Sequence, residues 1–268
     1  MRKLLSLCLA ITSVVLGTTL STKLNAQELT DAKKIIDSAN LAAYYAADDG
    51  SAQARMKIVD AKGNKLLRQF TILRKDQQDA GVQDFVVHFS RPSDVKGTVF
   101  RVQKQPQSDD NRWLYLPALD LVKRIAASDK RTSFVGSHFF YEDVSGRNPN
   151  EDTFTLEKND NSVYTIKAIP KNPESVEFSY YRIQIHQRHF IPMQVDYFDK
   201  QNQHYRQMKV LKTQAIDGFT TVMHSRIDNL IDGSYTEMQF RRVKYNRDIP
   251  QSLFSERSLR QFPSKWLK

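Results

Sequence analysis

Ser128, Asp129, Ser133, Ser137, His138 and Asp143 crowd into one stretch, RIAASDKRTSFVGSHFFYEDV, at residues 124–144. Hydroxyl, imidazole and carboxylate are the parts of a nucleophilic site. A serine attacks, a histidine takes its proton, and an acid orients the histidine. Ser133 or Ser137 with His138 and Asp143 would be that set, an esterase-like site. Side chains adjacent in sequence diverge, however, and rarely meet in the required geometry. The opposing reading is a loop whose Ser, Asp and Arg side chains satisfy their own backbone. The esterase reading is the outsider, and no catalytic residue is expected.

Other chemistry is sparse. There is no glycine-rich phosphate loop, no G-x-S-x-G elbow and no HExxH motif. His186 and His189, in HQRH, are the closest histidine pair. On a strand they would point to opposite faces, so no metal site is expected from them, and no cofactor is expected at all. QFRRVKYNR (239–247) interleaves basic and aromatic residues as single-strand nucleic-acid binders do. Solvated strand faces account for it better, and nucleic acid is not an expected partner.

The N-terminus predicts export. Arg2 and Lys3 precede an apolar run from Leu4 to Leu16 and a polar stretch ending Leu24-Asn25-Ala26. This is the layout of a signal peptide, with cleavage expected after Ala26. The run is short for a membrane span. The expected fate is export, with peripheral rather than integral membrane contact. The lone cysteine, Cys8, lies in the apolar run, so residues 27–268 could form no disulfide and no thiolate metal site. Residues 1–26 carry three basic residues and no acids, so the net charge falls from +10 to +7 on their removal. A mildly basic exported chain can touch anionic lipid or another acidic surface. Without a linker rich in Pro, Gly or Ser, residues 27–268 are read as one domain.

The elements that must position these residues are mostly strands. Thr30 or Asp31 can cap one amphipathic helix, AKKIIDSANLAAYYAA, running to Ala47 and stopped by Gly50. About a dozen strand segments follow, rich in Tyr, Phe, Val, Ile and Thr. Turn signals such as Gly63-Asn64, Asp217-Gly218 and Asp232-Gly233 separate them. A short helix is expected near Gln251 to Ser258. The fold class is mainly β, a large curved antiparallel sheet or barrel. Several strands are apolar on both parities, so both faces need covers. The early helix and the 124–144 loop are the available cover for the inner face.

Three passages, FSRPSDVKGT, RWLYLPALDLVKRIAASDKRTSFVGSHFFYEDV and YFDKQNQHYRQMKV, resemble the outer membrane lipoprotein-sorting protein family, a LolA-like group. The resemblance spans residues 27–268. His138 and Phe139 replace a small acidic or polar pair expected there. The resemblance implies a half-barrel around a hydrophobic cavity, with helices and a loop as lid. It implies a non-enzymatic periplasmic carrier that holds lipid or lipoprotein acyl chains for transfer between membranes. The alternative is an accessory interaction subunit of an inner-membrane transporter or exporter. The loop at 124–144 then becomes a lid. Its charges, Lys130, Arg131, Glu142 and Asp143, would fix the closed position. Cavity lining is expected from one strand parity: Phe85, Val87 and Phe89; Phe100 and Val102; Trp113 and Tyr115; Met238 and Phe240. Ile36, Phe134 and Phe139 are the expected lid residues.

Overall fold

The computed structural model describes residues 29–267 apart from 79 and 161. The expected signal segment and its cleavage point lie outside these residues. Helix α1 (Ala32–Tyr44) begins where Asp31 accepts the backbone N–H groups of Lys33 and Lys34. It ends three residues earlier than its apolar pattern suggests, and Gly50 is not its stop. Arg74 draws the chain out of the helix by donating to the carbonyls of Tyr44, Ala46 and Ala47. Gly50 instead belongs to the first strand.

Thirteen strands follow among the described residues: β1 (Asp49–Val59), β2 (Lys65–Asp76), β3 (Gln83–Arg91), β4 (Val99–Lys104), β5 (Asn111–Leu116) and β6 (Leu121–Ile125). After helix α2 (Tyr141–Ser145) come β7 (Asp152–Asp160), β8 (Val163–Pro170), β9 (Tyr180–His186) and β10 (Pro192–Phe198). The last are β11 (His204–Ile216), β12 (Phe219–Asn229) and β13 (Tyr235–Tyr245). A 3₁₀ turn at Gln251–Phe254 and α3 (Glu256–Arg260) lie close to the expected C-terminal helix. The passage SVEFSYYRIQIHQRHF contributes only β9, because Val176 and Phe178 turn inward before it.

All strands form one antiparallel sheet in the order β6-β5-β4-β3-β2-β1-β13-β12-β11-β10-β9-β8-β7. It is a meander with a single long-range joint, where β1 pairs with β13. The sheet does not close, and β6 and β7 are its two edges. These edges are consecutive in the chain, so residues 126–151 run between them.

Both faces are covered, as the two-sided apolar strands require. On the inner face, β1 to β4 contribute Met56, Phe70, Phe85, Val87, Phe89, Phe100 and Val102, packed with Phe134, Phe139 and Tyr141 from the loop. On β8 to β10 the same role falls to Ile35, Ile36 and Ala39 of α1, packed on Ile166, Ile183, Ile185 and Val195. The outer face carries Leu73, Val86, Val99 and Tyr115 beneath Ile249, Leu253, Phe254 and Leu259 of the C-terminal segment. Asp49 anchors that segment by accepting the N–H groups of Arg247 (2.6 Å) and Ile249 (2.7 Å).

Trp113 and Tyr115 therefore do not line the inner face, contrary to the parity expected for β5. Directly paired residues share a face of the sheet. Leu114 pairs with the inward Phe100, and Tyr115 pairs with the outward Val99. Trp113 pairs with Arg101, whose guanidinium lies 4.4 Å from its ring centroid.

Candidate lipid cavity

The loop that looked catalytic is a plug. Phe134 is buried among rings, with centroids 5.3 Å from Phe100, 5.8 Å from Phe89 and 5.6 Å from Tyr141. Ser133 Oγ donates to the Ser137 carbonyl at 2.6 Å, and Ser137 Oγ donates to that of Phe139. Neither serine meets His138. The tip is pinned to β13 and the turn before it. His138 Nε2 lies 2.7 Å from Ser234 Oγ, and Nδ1 lies 2.8 Å from Thr236 Oγ1. Ser234 Oγ itself donates to Asp232. The acid thus sits on the serine and not on the imidazole, so the orienting part of a triad is missing.

This pattern fits the neutral imidazole. Nε2–H donates to Ser234, and Nδ1 accepts from Thr236. Burial, aided by Arg206, pushes the His138 pKa below its ordinary value, with Asp232 opposing. The unfolded chain therefore takes the proton first as pH falls. The stability His138 contributes is complete above about pH 6.5 and is lost as pH drops through the lowered folded pKa. Protection of the amides at residues 134–139, taken as exchange rates corrected for their intrinsic pH dependence, should fall between neutral pH and pH 5. His138→Gln should flatten that dependence, and an unchanged profile would remove His138 as its cause.

Charged side chains close the seam that the backbone leaves open between β6 and β7. Glu142, 2% exposed, accepts from Arg131 (2.6 Å) and Arg147 (3.2 Å) and lies 3.3 Å from Lys130. Burial alone would raise its pKa, but Arg131, Arg147 and Lys130 outweigh that and hold it at about 2. Lys130 also reaches Glu151, and Arg147 forks onto Asp152 at 2.8 Å. Tyr181 of β9 donates to Asp152. Arg131 continues to Glu177, which accepts from Tyr205 of β11. Arg206 of β11 pairs with Asp143 and covers the Phe140 ring at 4.4 Å. Lys104, its pKa pushed down to about 8 by burial, donates to the Ser145 carbonyl at the end of α2.

Space remains between the covers and the inner face. A compartment of about 210 Å³ is walled by Ile72, Val87, Met208, Val222, Met238 and Phe240. Its roof is Ala43 and Tyr44 from α1 with Phe134, Phe139 and Val144 from the loop. A second compartment of about 210 Å³ shares Ile72, Ile191, Val222 and Phe240 with it and continues past Ala42, Ala46, Phe85, Arg74 and Thr220. A third, about 110 Å³, shares Tyr44, Pro192 and Met208 and runs under Ile36 and Ala39. The alanines of α1 leave this room where larger residues would fill it. Tyr44 stands at the junction, and Gly146 (φ +78°) lets it approach. A Cβ at Gly146 would fall 2.5 Å from the Tyr44 ring. A separate polar compartment of about 610 Å³ is lined by Lys130, Arg147, Glu151, Lys171 and Asn and Ser side chains. Two of its cations are already paired with Glu151, and its walls do not suit a hydrocarbon chain.

Of the residues singled out in the sequence, Val87, Met238, Phe240, Phe134 and Phe139 meet around the first compartment. Phe85 lines the second, and Ile36 lines the third. Phe89, Phe100 and Val102 face the same way but lie in solid core beneath Phe134 and Tyr141. Sequence reasoning missed Ile72, Ile191, Met208 and Val222. Ile191-Pro192, an apolar pair just after a histidine-rich turn, was the available signal. His186 and His189 do not diverge as expected. β9 ends at His186, His189 lies in the turn, and the two rings stack at 3.9 Å. Their Nδ1 atoms accept the N–H groups of Arg188 and Ile191. No group of three or more metal-ligating side chains occurs among the described residues.

An open antiparallel sheet wrapped on a helix and a plugging loop, with apolar space between, defines a LolA-like fold. A family model, described as that of an uncharacterized protein, matches residues 81–261, and the chain belongs to that family. Solved structures agree. A DUF1329 family protein from Desulfovibrio piger has 25% identity and a TM-score of 0.77, covering 85% of this chain and 97% of its own. A putative outer membrane lipoprotein-sorting protein domain from Vibrio parahaemolyticus has 22% identity and a TM-score of 0.77, covering 86% and 98%. A LolA superfamily protein from Nitrosomonas europaea has 15% identity and a TM-score of 0.66, covering 86% and 99%. No curated protein matches the chain. No described helix is long and apolar enough to cross a membrane.

Proposed function

We propose that this protein is a non-enzymatic periplasmic carrier that holds lipid or lipoprotein acyl chains between its sheet and its covers. In this reading residues 1–26 are removed on export, and residues 27–268 act as one domain. The observation that carries it is the joined apolar space around Tyr44, Met208 and Phe240. Each compartment is smaller than the roughly 300–1,000 Å³ of ordinary ligand sites, but together they fall within it. The three compartments meet through shared wall residues, which lets a flexible chain pass from one to the next. Burying methylenes, at about 0.8 kcal/mol each, holds such a chain without polar recognition. Ser133, Ser137 and His138 have structural duties in the plug and no chemical ones. The lipoprotein-sorting and LolA relatives supply the fold of a carrier, and cargo is assigned here from the cavity.

Native mass spectrometry on protein purified without detergent tests the proposal. Adducts with acyl-lipid masses are expected. Phe240→Asp, which places a charge on the cavity wall, should lose them while circular dichroism stays that of the wild type. A folded wild-type protein with no adducts, and no uptake of added fatty acid, would refute the carrier reading.

A further inference from the structure

One end of the sheet carries leucines and isoleucine in water. Hairpin turns β1–β2, β3–β4, β5–β6 and β12–β13 all lie there. Val59 pairs with both Lys65 and Tyr235, which sets the first and last of these side by side. Gly97 of the β3–β4 turn lies against Pro117 of the β5–β6 turn, so those two tips also touch. Along this rim Leu66, Leu67, Leu119, Leu121, Leu230 and Ile231 are exposed, with Leu119 at 70% and Ile231 at 58%. Single exposed apolar residues are ordinary, but six on neighbouring tips form a band.

The charges of the rim are sorted. Its acids are engaged. Asp60 accepts backbone N–H groups of its own turn, Asp94 pairs with Arg68, Asp120 with Arg260, and Asp232 caps Ser234. Its lysines are free. Lys62, Lys65, Lys96 and Lys123 are exposed and make no side-chain hydrogen bond or ion pair among the described residues. Apolar tips flanked by uncommitted cations match the interface of an anionic bilayer, where the tips enter the headgroup boundary and the lysines meet phosphates. A protein partner of ordinary composition would not require all four lysines to be left unpaired. The plug emerges at the same rim, since His138 is tied to Ser234 and Thr236.

We infer that this rim is the face by which the protein docks on an anionic phospholipid surface. The purpose of such docking rests on the carrier reading, because a carrier must meet the membrane it loads from or delivers to. The test does not. Co-sedimentation is measured with vesicles of phosphatidylcholine alone and of phosphatidylcholine mixed with phosphatidylglycerol. The wild type should sediment with the mixed vesicles and be released by salt. Leu119→Asp with Ile231→Asp should abolish sedimentation. Replacing the four lysines by glutamine should weaken it by roughly two to three orders of magnitude, at roughly 1 kcal/mol per cation near the surface and tenfold per 1.4 kcal/mol. All the substituted residues are exposed, so thermal midpoints should not move, and uptake of fatty acid by the variants should match the wild type. Failure of the wild type to sediment with anionic vesicles, or equal sedimentation of the Asp variant, overturns the inference. So does capture of a detergent-solubilised membrane protein through this rim when vesicles do not bind. Fatty-acid uptake reports on the carrier reading separately in each case.

Discussion

Glu142→Gln should lower the thermal midpoint of this protein by about 10 °C, the effect of removing roughly 3–5 kcal/mol in a chain of this size. The size follows from what the substitution leaves behind. Arg131, Arg147 and Lys130 converge on one buried carboxylate. Neutralising it strands three cations in a site that water does not reach freely. Glu151, Asp152 and Glu177 retain part of the compensation, which is why the chain should still fold. Acid should act in the same direction. The Glu142 pKa is held at about 2, below its unfolded value, so the unfolded state binds the proton first. Its contribution is complete above about pH 4.5 and is lost as pH falls towards 2. Thermal melts at pH 7 and pH 3 measure both effects, and the gap between wild type and Glu142→Gln should narrow at pH 3. A midpoint shift of only a degree or two at pH 7 would show that the seam is held by packing and not by charge.

Phe134→Ala should cost about 3–5 kcal/mol, as for a buried ring that the surroundings cannot replace. Phe134 is 1% exposed and touches the rings of Phe70, Phe89, Phe100 and Tyr141. It also roofs the first compartment. The hole left by its truncation therefore joins a space that exists already. Denaturant titration should show the loss in full for delipidated protein and a partial recovery when a long-chain fatty acid is added. Recovery equal to that of the wild type would mean that the compartment and the site of Phe134 are not connected.

Strand faces are most legible in the sequence where the largest side chains share one parity. Phe85, Val87 and Phe89 declare one face of β3, and the fold places all three inward. In β5 every candidate position is apolar, so parity depends on pairing with Phe100 and Val99, which lie on another strand. The same limit applies to Met208, whose strand is apolar on both parities. The loop was the hardest passage. Its serines, histidine and acids look like chemistry when read alone. The serines bond carbonyls within the loop, but the duties of the histidine and the charges become visible only beside Arg147, Glu177, Arg206, Ser234 and Thr236, which stand outside the stretch in sequence. Helix α1 was recognisable from Asp31 and its apolar spacing, but its end is set by Arg74, a residue of β2. The alanines of its inner face read as ordinary helix formers, and only their position over Met208 and Phe240 shows that they leave room.

The central claim is that hydrocarbon occupies the space beneath α1 and the plug. Photolabelling tests it most directly. Delipidated protein is loaded with a long-chain fatty acid carrying a diazirine in its chain, irradiated and digested, and the modified residues are mapped by mass spectrometry. Label is expected on the inner walls, at Met208, Val222, Phe240 and the Ala43-Tyr44 turn of α1. Label confined to the outer face, at the C-terminal segment from Ile249 to Leu259, or spread over exposed residues without preference, would contradict it.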